Sequence, residues 1–305
     1  MSRPSIIHSS RVWFIFSGVL SIASIIAIAT WGLRVGIDFK GGQLIETRFT
    51  EPVPIETIRD HLKDANGVPS STVVESGPNT FLIRTTTDTP EQLTALKTQL
   101  DGVGEREQIR FESVGPTVGK DLTQKAILAV VLASIAIILY IAWAFRHVPK
   151  PTNSWQFGIT AAIALLHDLL ITIGAFSLLG HLYGFEVDSL FITALLTVMG
   201  FSVHDTIVTY DRIRENLLEH MKDMSFKNIV VSSINQTLVR SMNTSLTLIL
   251  ILSSLILLGG ESIKPFIAAL LIGVSVGAYS SVFLASQLLI TWQQWAEKRT
   301  VRHTA

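Results

Sequence analysis

The chain reads as an α-helical polytopic membrane protein: six transmembrane helices, with a small α+β domain inserted outside the cytoplasm between helices 1 and 2. Three observations predict this. Six stretches are apolar enough and close enough to the roughly 20 residues that a bilayer crossing needs. A polar region follows the first of them. Only 16% of the 305 residues are charged, against about 25% in ordinary soluble domains. The formal net charge is 0, which gives no global attraction to nucleic acid, so none is expected as a partner. Without cysteine there is no disulfide, CxxC motif or thiolate metal site.

The spans are expected near Val12–Trp31, Thr123–Phe145, Gln156–Gly180, Val187–Tyr210, Asn243–Gly259 and Pro265–Trp292. The first has the look of a secretory signal, with Arg3 and Arg11 ahead of it and Ala27-Ile28-Ala29 as a small-residue cleavage site. Its apolar run is longer than a signal h-region, which favours an uncleaved anchor. The last is long enough to tilt or to continue along the interface.

Lys and Arg in the short loops set the orientation. Arg3, Arg11, Arg146, Lys150, Arg212, Arg214, Lys222, Lys227, Arg240, Lys298, Arg299 and Arg302 fall on one side. Glu186, Asp188 and Glu261, with only Lys264, fall on the other. Both termini are therefore expected in the cytoplasm, and Val35–Lys120 outside it. The domains follow: residues 1–34 for the N-terminus and first helix, 35–122 for the extracytoplasmic domain, 123–292 for five helices with a cytoplasmic loop at 211–240, and 293–305 for the tail.

The extracytoplasmic region has a β-α-β-β-α-β pattern. Strands are expected at Gln43–Phe49, Thr72–Glu75, Thr80–Thr85 and Gln108–Ser113, all rich in Ile, Val, Thr and Phe. Ser76-Gly77-Pro78-Asn79 turns the middle pair into a hairpin. One helix runs from Ile55 to about Asp64, with Ile58 and Leu62 on its apolar face and Asn66-Gly67 ending it. The second starts at Pro90, capped by Thr89, with Leu93, Leu96 and Leu100 as its stripe. Two such helices on a four-stranded antiparallel sheet make a ferredoxin-like fold.

Chemistry is concentrated in the spans. The third carries His167-Asp168 and the fourth His204-Asp205. A charge at the bilayer centre costs roughly 2.5–3.5 kcal/mol and marks an ion or substrate path. Arg240, Asn243, Thr244 and Thr247 share a helical face at offsets of 3, 4 and 7. Arg240 either pairs with a carboxylate on a neighbouring helix or snorkels to the interface. Desolvation favours the protonated carboxyl and a nearby arginine the carboxylate, so Asp205 between those effects can take and release a proton. The same reading applies to Asp168, with His204 and His167 as relay partners. The bland alternatives are a helix–helix hydrogen bond for each carboxyl and a backbone carbonyl partner for each imidazole.

Metal binding is disfavoured because neighbouring helical residues diverge by about 100°. An intramembrane aspartyl protease would use two Asp, but the Gly-x-Gly-Asp motif is absent. No cofactor is expected, and no nucleophile or metal set supports an enzyme. In the last span, Gly273 and Gly277 belong to a small-residue ladder that admits a close helix neighbour. Phe226–Val239 reads as a cytoplasmic amphipathic helix.

Together these residues resemble the SecF proteins of the SecD/SecF family. Gly36-Ile37-Asp38-Phe39-Lys40-Gly41-Gly42 is similar to the family's Asp-Phe-x-Gly-Gly signature, with Asp38, Phe39, Gly41 and Gly42 at its positions. Ser113-Val114-Gly115-Pro116-Thr117-Val118-Gly119 is similar to the exit motif before the second span. Ala164–Asp168, the Asp205–Asn216 string, Thr237–Ser241 and Leu271–Gly277 continue the resemblance. It implies an RND-superfamily half-transporter in the bacterial inner membrane that pairs with SecD. The pair would use the proton motive force to promote late steps of preprotein export, after SecA and the SecYEG channel have pushed the chain across. Partners implied are SecD, SecYEG, indirectly SecA, exported unfolded preproteins and membrane lipids. Asp205 would carry the proton, with Arg240 its charged neighbour. His204 stands where the family commonly has Asn. The rival reading is an RND-type exporter half for lipids or small molecules, for which Val35–Lys120 is a small domain. A third is a structural chaperone that uses no protons.

Overall fold

In a computed structural model, residues 10–63, 71–86, 89–149 and 151–304 are described, with side chains through Lys298. Arg3, Asp64, Asn66-Gly67 and Lys150 lie outside the described residues, as do the side chains of Arg299 and Arg302. Among the described residues, six helices are long and apolar enough to cross a membrane: Arg11–Trp31, Pro116–Ala144, Ser154–Tyr183, Ser189–His220, Phe226–Leu258 and Glu261–Lys298.

In chain order the elements are α1 (Ser10–Trp31), α2 (Ile37–Lys40), β1 (Gly42–Phe49), α3 (Ile55–Lys63), β2 (Ser71–Gly77), β3 (Thr80–Thr85), α4 (Pro90–Val103) and β4 (Arg106–Val114). Then follow α5 (Pro116–Ala144), α6 (Ser154–Tyr183), α7 (Ser189–His220), α8 (Phe226–Leu258), α9 (Lys264–Ser280) and α10 (Ser286–Thr304). A π-helical stretch, Ser281–Ala285, joins α9 to α10, so the sixth span is continuous through a local change of winding.

Side-chain caps begin the long helices. Asn153 and Gln156 form a reciprocal capping box on α6, Asp188 Oδ1 accepts from Phe191 N on α7, and Ser225 caps α8. Burial sorts the spans. Half or more of the apolar windows of α6, α7 and the sixth span are buried, against 17% for α1 and α8 and 6% for α5. The first three form the centre and the others flank it.

Two expected boundaries are corrected. The span expected to stop at Tyr210 runs on to His220, and the amphipathic segment Phe226–Val239 is continuous with the fifth span in one 33-residue helix. No Gly or Pro lies between Phe226 and Leu258, so nothing breaks the backbone where the environment changes. Most of the region read as a loop at 211–240 is thus helical. The short helix α2 was not expected.

Between α1 and α5 the four strands form an antiparallel sheet in the order β2-β3-β1-β4. One sheet face packs Ile45, Phe49, Val73, Phe81 and Ile83 against Ile58, Leu62, Leu96 and Leu100 of α3 and α4. The other face presents Leu44 and Leu82 to Ile37 of α2. Strand β1 is therefore buried on both faces.

The domain is fastened to the helices at several points. Gly36 N donates to Val187 O at 2.8 Å and Val187 N to Arg34 O at 2.7 Å, a parallel bridge. Asp38 Oδ2 accepts from Ser189 N at 2.8 Å, a second carboxylate at the start of α7. Arg84 of β3 pairs with Glu186 at 3.1 Å, both largely buried. Gly42, at φ +136°, sits where a Cβ would lie 2.5 Å from Thr85 O. A Cβ on Gly119 would lie 2.8 Å from Gly41 N. Thus Asp38, Gly41, Gly42 and Gly119 converge on one joint, with Gly115 and Pro116 starting α5.

Close approach also fixes the helices. A Cβ at Gly174 would fall 2.3 Å from Ser24 Cβ, and one at Gly273 would fall 2.3 Å from Val198 Cγ2; Gly277 faces Ser202. Gly174→Ala is expected to push α1 off α6 and cost about 1–3 kcal/mol, read as a lower unfolding temperature in detergent. Gly18→Ala, with nothing within 4 Å, should stay within about 0.5 kcal/mol. Equal losses would contradict this account.

A second prediction concerns pH. Burial raises the pKa of Glu186, opposed chiefly by Arg84, and burial likewise raises that of Asp188, opposed by the Phe191 N–H. With a folded-state pKa above the unfolded one, the native state holds the proton more tightly. Their stabilisation is fully present below the ordinary carboxylate range and is lost as pH rises through the folded value. The wild type should lose thermal stability as pH rises above the ordinary carboxylate range, and Glu186→Gln should lose less. An equally steep decline in the variant would sink this assignment.

Candidate functional site

The central helices carry two carboxyl sites of opposite character. Asp168, on α6, is fully buried. Its Oδ2 accepts from Ser202 of α7 at 2.6 Å and from Ser280 of α9 at 2.7 Å. Its Oδ1 lies 3.0 Å from His167 Nδ1. His167 Nε2 lies 2.9 Å from the Tyr279 hydroxyl, which lies 2.8 Å from Ser17 Oγ on α1. With Tyr279 donating to Nε2, the proton sits on Nδ1 and points at Asp168. The chain of contacts from Ser17 to Asp168 therefore touches α1, α9 and α6, and Ser202 brings in α7. Trp13 and Phe16 of α1 lie against Tyr279, and Trp13 stacks on Phe283 at 3.9 Å.

Asp205, on α7, is only partly buried. Among the described residues its one hydrogen-bond donor is Ser245 of α8, at 3.2 Å. It lines a groove of about 260 Å³ between α7, α8 and α9, with Phe201, His204, Thr244, Thr247 and Leu248. His204, Thr244 and Thr247 are exposed, so the groove opens on the outer surface of the bundle. Ser202 lines the same groove while donating to Asp168, which joins the two sites through one side chain.

Arg240, Asn243, Thr244 and Thr247 all lie exposed on α8. Among the described residues no ion pair includes Arg240, so this structure does not bring it to Asp205. His204 and Asp205 are neighbours on α7, but His204 stands at the exposed edge.

Several contributors were missed from the sequence: Tyr279 and Ser17 as partners of His167, Ser202 and Ser280 as partners of Asp168, and Ser245 as partner of Asp205. A signal existed for the last. Ser233, Thr237, Ser241 and Ser245 recur every four residues on α8 and are all buried, a hydroxyl stripe beside the exposed Arg240 face. None existed for Ser17, which only tertiary packing brings to Tyr279.

The geometry gives a polytopic membrane protein with an inserted α+β domain, one satisfied internal carboxyl and one sparsely partnered carboxyl facing outward. Comparison with known proteins agrees. Residues 94–295 match the family described as protein export membrane protein SecD/SecF, C-terminal. The protein translocase subunit SecF of Thermobaculum terrenum is 43% identical, over 98% of this chain and 97% of its own length. That of Synechocystis sp. is 40% identical, over 92% of each. Among solved structures, SecDF of Thermus thermophilus, described as a translocon-associated membrane protein, superposes with a TM-score of 0.84 at 31% identity. That similarity covers 96% of this chain and 39% of the longer SecDF chain. SecDF in a super-membrane-facing form gives a TM-score of 0.71 at 30% identity, covering 99% of this chain and 40% of that one. The chain therefore belongs to the SecF branch of the SecD/SecF family of protein-export membrane proteins.

Proposed function

We propose that this chain is a non-enzymatic accessory subunit of the Sec protein translocase that, with SecD, uses the proton motive force to promote late steps of preprotein export. The observation that carries this reading is Asp205: a carboxyl inside a membrane helix, partnered by Ser245 alone among the described residues, on a groove open at the bundle surface. Such a group is less constrained than Asp168, whose oxygens accept from three helices. Asp205 is then the proton carrier, with His204 and Arg240 as polar neighbours on the same open face. Asp168 and His167 hold the helices around it and form a second, less accessible proton-holding pair.

SecD is the natural occupant of the open face, because the solved relatives carry SecD and SecF as SecDF. In this reading the protein is a multi-pass component of the bacterial inner membrane with both termini in the cytoplasm, next to the SecYEG channel and downstream of SecA. The β-α-β-β-α-β succession and the strand order support reading residues 35–122 as a ferredoxin-like module outside the membrane, where it meets emerging preprotein. One charge crossing the membrane supplies about 2.3 kcal/mol per 100 mV. That suffices to bias two arrangements that differ in their affinity for the proton.

The test uses inverted vesicles containing the Sec channel, SecD and this chain. Completion of preprotein translocation is followed with and without a proton gradient. Gradient-dependent stimulation is expected in the wild type and absent in Asp205→Asn, with the variant still folded. Stimulation that survives both the substitution and collapse of the gradient would leave a passive scaffold. No stimulation at all would favour the exporter reading. Asp168→Asn should behave differently, lowering the unfolding temperature before any effect on coupling is read.

A further inference from the structure

Two buried hydroxyls in the seam between α7 and α8 have no hydrogen-bond partner among the described residues: Thr209, fully buried, and Ser241, 3% exposed. Buried hydroxyls are seldom left unpaired, and an orphan of this kind calls for water or an ion. Their positions are not arbitrary. Helices α7 and α8 run antiparallel, with Asp205 meeting Ser245 at one point and Asn216 Nδ2 donating to Ser233 Oγ at 2.8 Å at another. That register places Thr209 opposite Ser241, one turn beyond the Asp205–Ser245 pair. The next turns bring Thr237, then Arg212 with Gln236, and then Asn216 with Ser233. The seam is therefore polar from the Asp205–Ser245 pair to the Asn216–Ser233 pair, roughly 18 Å at the helical rise and most of the way to the α7–α8 connection.

We propose that this seam is the proton path between Asp205 and the side of the membrane that carries the α7–α8 connection, with water bridging the orphaned hydroxyls of Thr209 and Ser241. The inference rests on the reading of Asp205 as a proton carrier and adds its route. A proton leaving the Asp205 carboxyl passes to Ser245 Oγ or to a bridging water, and that oxygen releases its own proton onward. The shift repeats at Ser241, Thr209 and Thr237 until a proton leaves to bulk water near Asn216 and Ser233. Each oxygen ends with the number of protons it began with, and Asp205 is left as the carboxylate. The charged and titratable groups along the route are few. Asp205 and His204 stand at the groove, Arg212 at the far end beside Gln236 and Glu215, and Arg240 on the exposed face of α8. From α9, which packs on both helices, the nearest titratable group is Tyr279, engaged with His167.

The substitutions Thr209→Val and Ser241→Ala separate a wet seam from a dry one. If the hydroxyls are dry orphans, removing them relieves an unmet hydrogen-bonding demand. Stability then rises and proton coupling is untouched. If they bridge water in a proton path, stability stays level or falls and proton movement slows. The first readout is deuterium exchange of the protonated Asp205 carboxyl in the full chain reconstituted with SecD in liposomes. Its infrared band is identified by its loss in Asp205→Asn. Exchange is expected to slow by about tenfold or more in each variant and to recover in Thr209→Ser. The second is gradient-dependent stimulation of translocation, which should fall in parallel. Exchange and stimulation at wild-type rates in both variants, with raised unfolding temperatures, would overturn the path. If Asp205→Asn keeps its stimulation, the proton-carrier reading fails instead, and the exchange rates still decide whether the seam conducts.

Discussion

A carboxyl buried in hydrocarbon must find its hydrogen bonds in protein, and Asp168 organises the bundle because of it. Insertion of such a group costs about 2.5–3.5 kcal/mol on insertion scales. Hydrogen bonds to a charged group contribute about 1.5–3 kcal/mol each. Ser202 and Ser280 donate from two other helices and His167 from its own, enough to offset that cost. Donors on α7 and α9 can serve one oxygen of α6 only if the three axes stay close. Gly273 against Val198 and Gly277 against Ser202 allow that closeness. The groove of Asp205 lies on the outer side of the same α7–α9 contact, so its shape follows from the internal clasp.

The two aspartates thus differ in how firmly the structure holds them. One is over-determined and holds geometry. The other has, among the described residues, a single donor and an open face. The same division recurs outside the spans. Glu186 and Asp188 are buried enough to resist ionisation, yet one is paired with Arg84 of the sheet and the other caps α7. The joint between domain and helices therefore combines rigid glycine contacts with carboxyls that respond to acidity.

Much of this was legible in the sequence. Hydropathy placed the spans because burial in lipid requires long apolar runs. Alternation and capping residues placed the strands and helices of the small domain, down to Thr89 at the start of α4. Intramembrane Asp168 and Asp205 stood out because charge there is costly. The partners were not legible. His167 and Asp168 are adjacent, and helical geometry argues that adjacent side chains diverge; the close contact depends on rotamers that Tyr279 and the serines select. Helix ends at the membrane boundary were also misplaced, because hydropathy reports the solvent and not the backbone. The chain from Gly200 into Asn216 changes from apolar to charged without any residue that would stop a helix.

That continuity has a mechanical consequence. At the α-helical rise, α8 is about 50 Å long, while the hydrocarbon core is about 30 Å thick. Helix α7 is nearly as long and is tied to α8 near its C-terminal end through Asn216 and Ser233. The two therefore form a stiff pair of helices joined at the Asp205–Ser245 contact and again at Asn216 and Ser233. A rigid rotation of such a pair is carried undiminished in angle to its tip, where it becomes a displacement that grows with distance. Whatever touches the tip is joined to the Asp205–Ser245 contact by continuous helix, with no flexible linker in between.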